Sequence, residues 1–551
     1  MTKIYSLVAV AIATLCAVPA EAAPRVAGCV NPQDLMVAAS VDPNNEAIDA
    51  APFIRTAITN ALAGSHVVCL PGRTYKLLSA VGSTIFDLTN ATDLAIIGEG
   101  PGTVLELGGA GGADVQVFNL ASGASRVRFQ DFAVTGENNT TGGATSSLFK
   151  IGGGAAAVAD IALEGVQVLQ AKGAGVVIDG VAAPTAGVEI RACRFFANQG
   201  SAVQVQGASR VVITASYFAN DLGLEIEAPS ARAIAGLTVS NNVFTRLQPF
   251  PSGPVPGAAP ALAIQLSAPT ATPSSQLAIV DNLVLGGRIS ITRFQQVTIA
   301  GNTVFGDVQA TADPELLVTG GAGSIEVTSN VFERSSCTAG AVVRIGVAAD
   351  ALQHVGFVGN AVAQTTASCP AAGIASPLQV AGASNAVVGG NTISLAASAP
   401  VAGVLIGPSS TAAAYVSVAS NSIAGAAVGS LASGIELGAS AGASPFAIVT
   451  DNVTARATIG VKVDATSAAV IPLILNNVFA DATTAISTTA SNPAVAIRSN
   501  LRGPSHFTGT GSPQGVIAAP IGSLYFQTNA TANGLWVKET GTGNTGWVAK
   551  N

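Results

Sequence analysis

The sequence predicts an all-β fold: a right-handed parallel β-helix, a solenoid whose short strands wind into stacked coils. Three observations predict it. An Asn-centred phrase recurs along the chain, a Gly-apolar-x-apolar phrase falls between its copies, and the composition suits stacked strands. Of 551 residues, 49% are hydrophobic, only 10% are charged and 61 are Gly. Helical chains of this length carry more Glu, Lys and Arg, and disorder needs low hydrophobicity with high charge. Small and β-branched side chains are what a long stack of strands needs inside.

The first element is an export signal at residues 1–22. Lys3 is the positive flank, Ile4 to Ala20 is the apolar stretch, and Ala20-Glu21-Ala22 is a small-x-small cleavage site. Cys16 raises a lipoprotein alternative, but Leu15 before it is bulkier than the usual small residue. Later apolar stretches are cut by Gly, Asn or Asp, so no membrane insertion is expected. The expected location is secreted, periplasmic or at the cell surface. The net charge of −7 and the lack of a basic stripe argue against a nucleic-acid partner. Residues 23–110 read as an N-terminal cap with the first coils, 111–505 as the β-helix, and 506–551 as a small C-terminal β module.

The repeat carries the fold. Val239-Ser240-Asn241-Asn242-Val243-Phe244 is echoed at Asn282, Asn302, Asn330, Asn360, Asn391, Asn421, Asn452, Asn477 and Asn500. Earlier copies keep the frame with Phe132, Val166, Cys193 and Ser216 in the Asn place. Gly175-Val176-Val177-Ile178, Gly403-Val404-Leu405-Ile406, Gly434-Ile435-Glu436-Leu437 and Gly460-Val461-Lys462-Val463 give the second phrase. Alternate strand residues point inward, and a coil buries that face only by stacking on neighbours. The Asn is expected at a left-handed turn between strands, in a line along the axis where side-chain amides bond to one another. Leucine-rich repeats are the alternative solenoid, but their dense Leu template is absent.

These repeats resemble those of the pectate-lyase-like superfamily of right-handed β-helices. Phe53-Ile54-x-x-Ala57-Ile58 resembles its capping helix. Val67-Val68-Cys69-Leu70-Pro71-Gly72-Arg73-Thr74-Tyr75 and Leu94-Ala95-Ile96-Ile97-Gly98-Glu99-Gly100-Pro101-Gly102-Thr103 resemble its first coils. The resemblance covers roughly residues 45–502 and implies fold better than chemistry, because members include lyases, hydrolases, epimerases, tailspikes and proteins without known activity. Gly509 to Lys550, with Trp536 and Trp547, resembles a C-terminal module of phage tail-fibre-like proteins. Two readings of it stay open: a trimerisation or attachment unit giving a homotrimer, or a small β-cap on the last coil.

The resemblance implies chemistry in a groove over one sheet. The outward positions read as Lys150, then Val177 and Asp179, Gln204 and Gln206, Glu225 and Glu227, Gln265 and Ser267, Ser290 and Thr292. Coils lie about 4.8 Å apart, so Asp179, Glu225 and Glu227 are expected to share one face within about 10 Å. Two such carboxyls can act as proton donor and base on a glycosidic bond, one with a pKa raised by the other. Lys150, Gln204, Gln206 and Gln265 are the expected sugar-binding residues, walled by the loops Thr135–Ser147 and Leu247–Ala259. Later coils offer Arg344, Gln379, Leu405, Glu436, Lys462 and Asp464. Against this stands an ordinary solvated sheet face, and a non-catalytic adhesin or fibre-like protein is the competing function. Gly-His-Gly, an Asp-Asp pair and clustered calcium-binding Asp are missing, which counts against pectin cleavage. His66, His354 and His506 are scattered, and no cofactor or metal is expected.

After signal cleavage five Cys remain, none in a C-x-x-C pair. Cys337 and Cys369 follow Asn330 and Asn360 into the same loop of adjacent coils, a separation a disulfide can span. Cys29 and Cys69 are expected to pair in the cap, and Cys193 to be a buried free thiol in the ladder.

Overall fold

The structure is a computed structural model. It describes residues 28–45, 47–108, 115–138, 147–219, 224–229, 232–245, 262–269, 272–306, 314–321, 323–335, 340–365, 375–396, 399–407, 415–438, 446–463, 471–488, 496–498, 500, 506–519, 521–528 and 534–550. Their strands form three long parallel sheets of 16, 15 and 15 strands, each strand pairing with the third one after it in the chain. That order is a parallel β-helix: every coil gives one strand to each sheet. Sheet 1 opens with Val67–Leu70, sheet 2 with Thr74–Leu77 and sheet 3 with Thr84–Asp87.

Alternation builds the core. Val158–Glu164 buries Val158, Ile161 and Leu163, which face Thr185, Val188 and Ile190 of the next coil. One continuous cluster runs from the cap to Phe479. Like residues stack on like: the rings of Phe195, Phe218 and Phe244 lie 4.8 Å apart in succession, the spacing of the coils themselves. Ring stacking thus adds to burial at the same positions.

Two helices close the N-terminal end. Asn31 caps α1 (Pro32–Ala38) by accepting from the Gln33 N–H, and Pro32 takes the first turn, where no donor is needed. The second helix, α2 (Ala51–Leu62), buries Ala51, Ile54, Ala57, Ile58 and Ala61. That 3–4 spacing is one stripe, laid over the first coil as the capping-helix resemblance implied. Cys29 is disulfide-bonded to Cys69 of the first strand, with Cα atoms 5.8 Å apart. Cys193 is a buried free thiol. Cys337 and Cys369 lie outside the described residues.

The Asn ladder forms, with one correction. From Asn242 to Asn500 each Asn is buried. Each amide oxygen accepts from the Asn one coil before, as in Asn330 Nδ2 to Asn360 Oδ1 at 2.9 Å. The same Nδ2 donates back to a carbonyl, Ile299 O at 2.9 Å. Ser216 and Cys193 continue the line: Ser216 N donates to Asn242 Oδ1 and Cys193 N to Ser216 Oγ. However, the left-handed residue is not the ladder Asn but the one before it: Asn241, Asp281, Gly301, Ser329, Ser420, Asp451 and Asn476 have φ between 53 and 66°. The reason is directional. The bend must be made by the residue at the solvent edge, so that the next side chain turns inward to its partners.

The chain ends in a separate four-stranded sheet, His506–Gly509, Leu524–Gln527, Leu535–Lys538 and Trp547–Lys550. Its first pair is parallel and the rest antiparallel. It has its own small core of Ala519, Tyr525 and Trp547. Among the described residues no helix is long and apolar enough to cross a membrane.

Candidate functional site

Sheet 3 carries the candidate face. Parallel pairing puts Lys150, Val177, Gln204, Glu227, Gln265 and Ser290 in one row across six coils. All are half-buried, while their neighbours Phe149, Val176, Val203, Ile226 and Ile264 fill the interior. Asp179 and Gln206 form a second row two residues on. The row continues through Leu317, Arg344, Gln379, Leu405, Glu436 and Lys462. Asp464 lies outside the described residues, as do 139–146 and 246–261, so the two expected wall loops are described only at Thr135 to Asn138 and at Ser147.

Glu225 departs from expectation. It was expected on the outer face beside Glu227, yet it is fully buried. The strand begins only at Ile226, and Glu225 stands one residue earlier, where its carbonyl accepts from Val203 N as that of Ala202 does from Val176 N. It therefore occupies the turn column of Gly175 and Ala202, which faces inward. Alternation holds inside a strand but not across its first bend.

The residue before the strand's inward Ile or Leu is Ala263, Arg288 and Glu315 in the following coils, with a register shift that pairs Arg288 with Leu262. Arg288 is 5% and Glu315 3% exposed. Glu315 Oε1 receives Arg334 Nε at 2.8 Å, and Arg334 Nη1 donates to Gly340 O at 2.6 Å. A Cβ at Gly306 would lie 2.2 Å from the Glu315 carboxyl carbon, so only glycine leaves room for that carboxylate. Sequence reasoning missed this interior charged group. Its only signal was charged residues beside the Gly-apolar phrase rather than within it.

Three hydrogen bonds organise the two half-buried acids of these rows. Glu227 Oε2 accepts from Ser201 Oγ at 2.5 Å and from Gln204 Nε2 at 3.5 Å. Asp179 Oδ1 accepts from Val181 N at 2.9 Å. Gly152 and Gly153, both with positive φ, bend the chain beneath Asp179: a Cβ at Gly153 would lie 2.8 Å from Asp179 Oδ2 and 3.2 Å from Lys150 Cε. Lys150 and Asp179 thus flank one glycine floor. Asp179 and Glu227 are two coils and two residues apart, about 12 Å between Cα atoms. No group of His, Cys, Asp and Glu suited to a metal occurs among the described residues.

Fold and face together define a parallel β-helix protein with a polar, partly acidic outer row on one sheet. No protein-family model and no curated protein matches the sequence. Among solved structures, it is similar to the tailspike protein of E. coli bacteriophage HK620 in complex with a pentasaccharide, at 14% identity and TM-score 0.44, over 82% of this chain and 78% of that one. It is also similar to the A-module of a mannuronan C-5 epimerase of Azotobacter vinelandii (14%, TM-score 0.32, 83% and 96%). A third is the catalytic unit of a thermostable α-1,3-glucanase of Streptomyces thermodiastaticus (14%, TM-score 0.36, 87% and 70%). No residue of this chain takes a role from these likenesses.

Proposed function

We propose that this chain is an extracellular β-helix that binds a polysaccharide along the outer row of sheet 3. The observation that carries the reading is the register of Lys150, Gln204, Glu227, Gln265 and Ser290 on one half-buried row. Amide, hydroxyl, carboxylate and ammonium groups at coil spacing suit the repeating hydroxyls of a glycan. Gln206 and Asp179 widen the row. For cleavage, Asp179 and Glu227 are the proposed acid and base; Glu225, buried inside the coil, has no part in it. The stretch at residues 1–22 that reads as an export signal supports the location.

The test is a polysaccharide panel read for binding, for new reducing ends and for unsaturated ends. Glu227→Gln and Gln204→Ala are expected to weaken binding about tenfold each, the cost of leaving charged or amide partners unmade, without lowering thermal stability. Unchanged binding in both variants would sink the reading.

A non-catalytic adhesin or fibre-like protein is the second reading. It is favoured by the later row, where Leu317 and Leu405 break the polar run and Glu436 is paired with Lys462 at 3.0 Å. On that reading the C-terminal sheet assembles a homotrimer, and Phe526 and Val548, 45% and 39% exposed, supply an apolar contact. Sedimentation of the chain with and without residues 506–551 checks it: loss of a trimer is expected on truncation.

A further inference from the structure

We propose that the outer face of sheet 1 carries a second glycan-binding site, built on the stacked rings of Tyr415 and Phe446 and separate from the sheet 3 row. Most rings of this chain lie in the core. Tyr415 and Phe446 are instead 39% and 49% exposed, with centroids 6.2 Å apart and planes 14° from parallel. They open the strands Tyr415–Ala419 and Phe446–Thr450 and are direct register partners. They form an exposed aromatic shelf.

The same row supplies hydrogen-bonding groups. Asn385 pairs with Tyr415, and its Nδ2 donates to Gln353 O at 3.1 Å, which holds the amide and leaves its oxygen to accept. One coil further, His354 stands beside Ser324 and meets Glu326 through Nε2 at 3.0 Å. A Cβ at Gly356 would lie 2.0 Å from Glu326 Oε2, so this carboxylate rests against bare backbone. Read along the axis, the row runs Ser324, His354, Asn385, Tyr415, Phe446: acceptors and donors first, then two rings.

That order matches an amphipathic ring. A sugar stacks its C–H face on an aromatic side chain and turns its hydroxyls to amides and carboxylates. The shelf is also the wrong size for a protein. From Ser324 to Phe446 is four coil steps, about 19 Å, and a five-residue strand is about 17 Å long. The resulting face of about 320 Å² is well below the roughly 800 Å² per partner of a standard protein interface. A narrow, linear ligand lying along the axis fits it, and a second copy of the chain does not.

The experiment is affinity electrophoresis of the full chain in native gels containing laminarin, galactomannan or xylan. Tyr415→Ala and Phe446→Ala are each expected to weaken retention about tenfold in a gel that retards the parent. Tyr415→Phe and Phe446→Trp, which keep a ring, are expected to retain it. Glu227→Gln removes only the sheet 3 component, so the two sites fail separately. The proposal is overturned if the parent runs unretarded in all three gels, if the alanine variants are retarded like the parent, or if only Glu227→Gln lowers retention. Both rings are at the surface, so melting curves of the alanine variants should match the parent. Should either melt early, Asn385→Ala is read instead: weakened retention supports the site and unchanged retention overturns it.

Discussion

Arg334 and Glu315 carry charge into the interior, 1% and 3% exposed, joined at 2.8 Å. Two ions taken out of water are tolerated only as a pair, so removing one costs more than removing both. Arg334→Ala is expected to cost about 3–5 kcal/mol, and Arg334→Met with Glu315→Leu much less, in urea unfolding of each variant. Cys193 makes the opposite point. Burial pushes its thiol up to about 12, partly offset by backbone hydrogen bonds. Between about pH 9 and 12 the unfolded chain releases this proton and the folded chain keeps it. Stability therefore falls as pH rises through that window, by up to about 1.4 kcal/mol per pH unit, and is untouched below it. Cys193→Ala should flatten the slope of unfolding free energy against pH there; an unchanged slope would show that the thiol is not the group responsible. Of these two environments only that of Cys193 was readable from the sequence. A Cys in an Asn position signalled a buried thiol, but nothing local marked Glu225 as inward, since that depends on where its strand starts.

The ladder is the element that the sequence displayed most clearly and the structure refined. Ten Asn in one phrase announced a line along the axis, and from Asn242 to Asn477 each amide does bond to the next coil. Which residue bends was legible only from backbone angles. Asn360 gives up Nδ2 to Val327 O and Asn391 Oδ1, and its own oxygen receives Asn330 N. Asn360→Ala leaves those groups buried without it, at about 1–3 kcal/mol for each orphaned group. Loss of that order in denaturant midpoint is expected, against almost none for exposed Thr392→Ala in the next strand. Gly301→Ala should also destabilise, because φ is +66° and the new Cβ would lie 2.0 Å from Asp281 Oδ1.

At the scale of the whole molecule, the coils protect one another but the first has no predecessor. α1, α2 and the Cys29–Cys69 bond cover it. Closing a 40-residue separation restricts the unfolded chain, so Cys29→Ser with Cys69→Ser should cost about 2–5 kcal/mol and expose the cap first to proteolysis. If Cys337 pairs with Cys369 as the sequence leads one to expect, the chain cleaved after Ala22, denatured and unreduced, should titrate one free thiol. A count of three would remove that second bond.

The sequence by itself determined the solenoid, its capping helix, the ladder and most of the sheet 3 row. Each of these is a periodic pattern, and period converts directly into facing when every coil stacks on the last. Tertiary structure alone decided the inward turn of Glu225, the buried partnership of Arg334 with Glu315, and the meeting of Tyr415 with Phe446. Those depend on where each strand begins and on which residues of neighbouring coils come into register. Coil lengths differ, as the 20- and 40-residue steps between successive ladder Asn show, so sequence distance does not give the register and only the stacked backbone does.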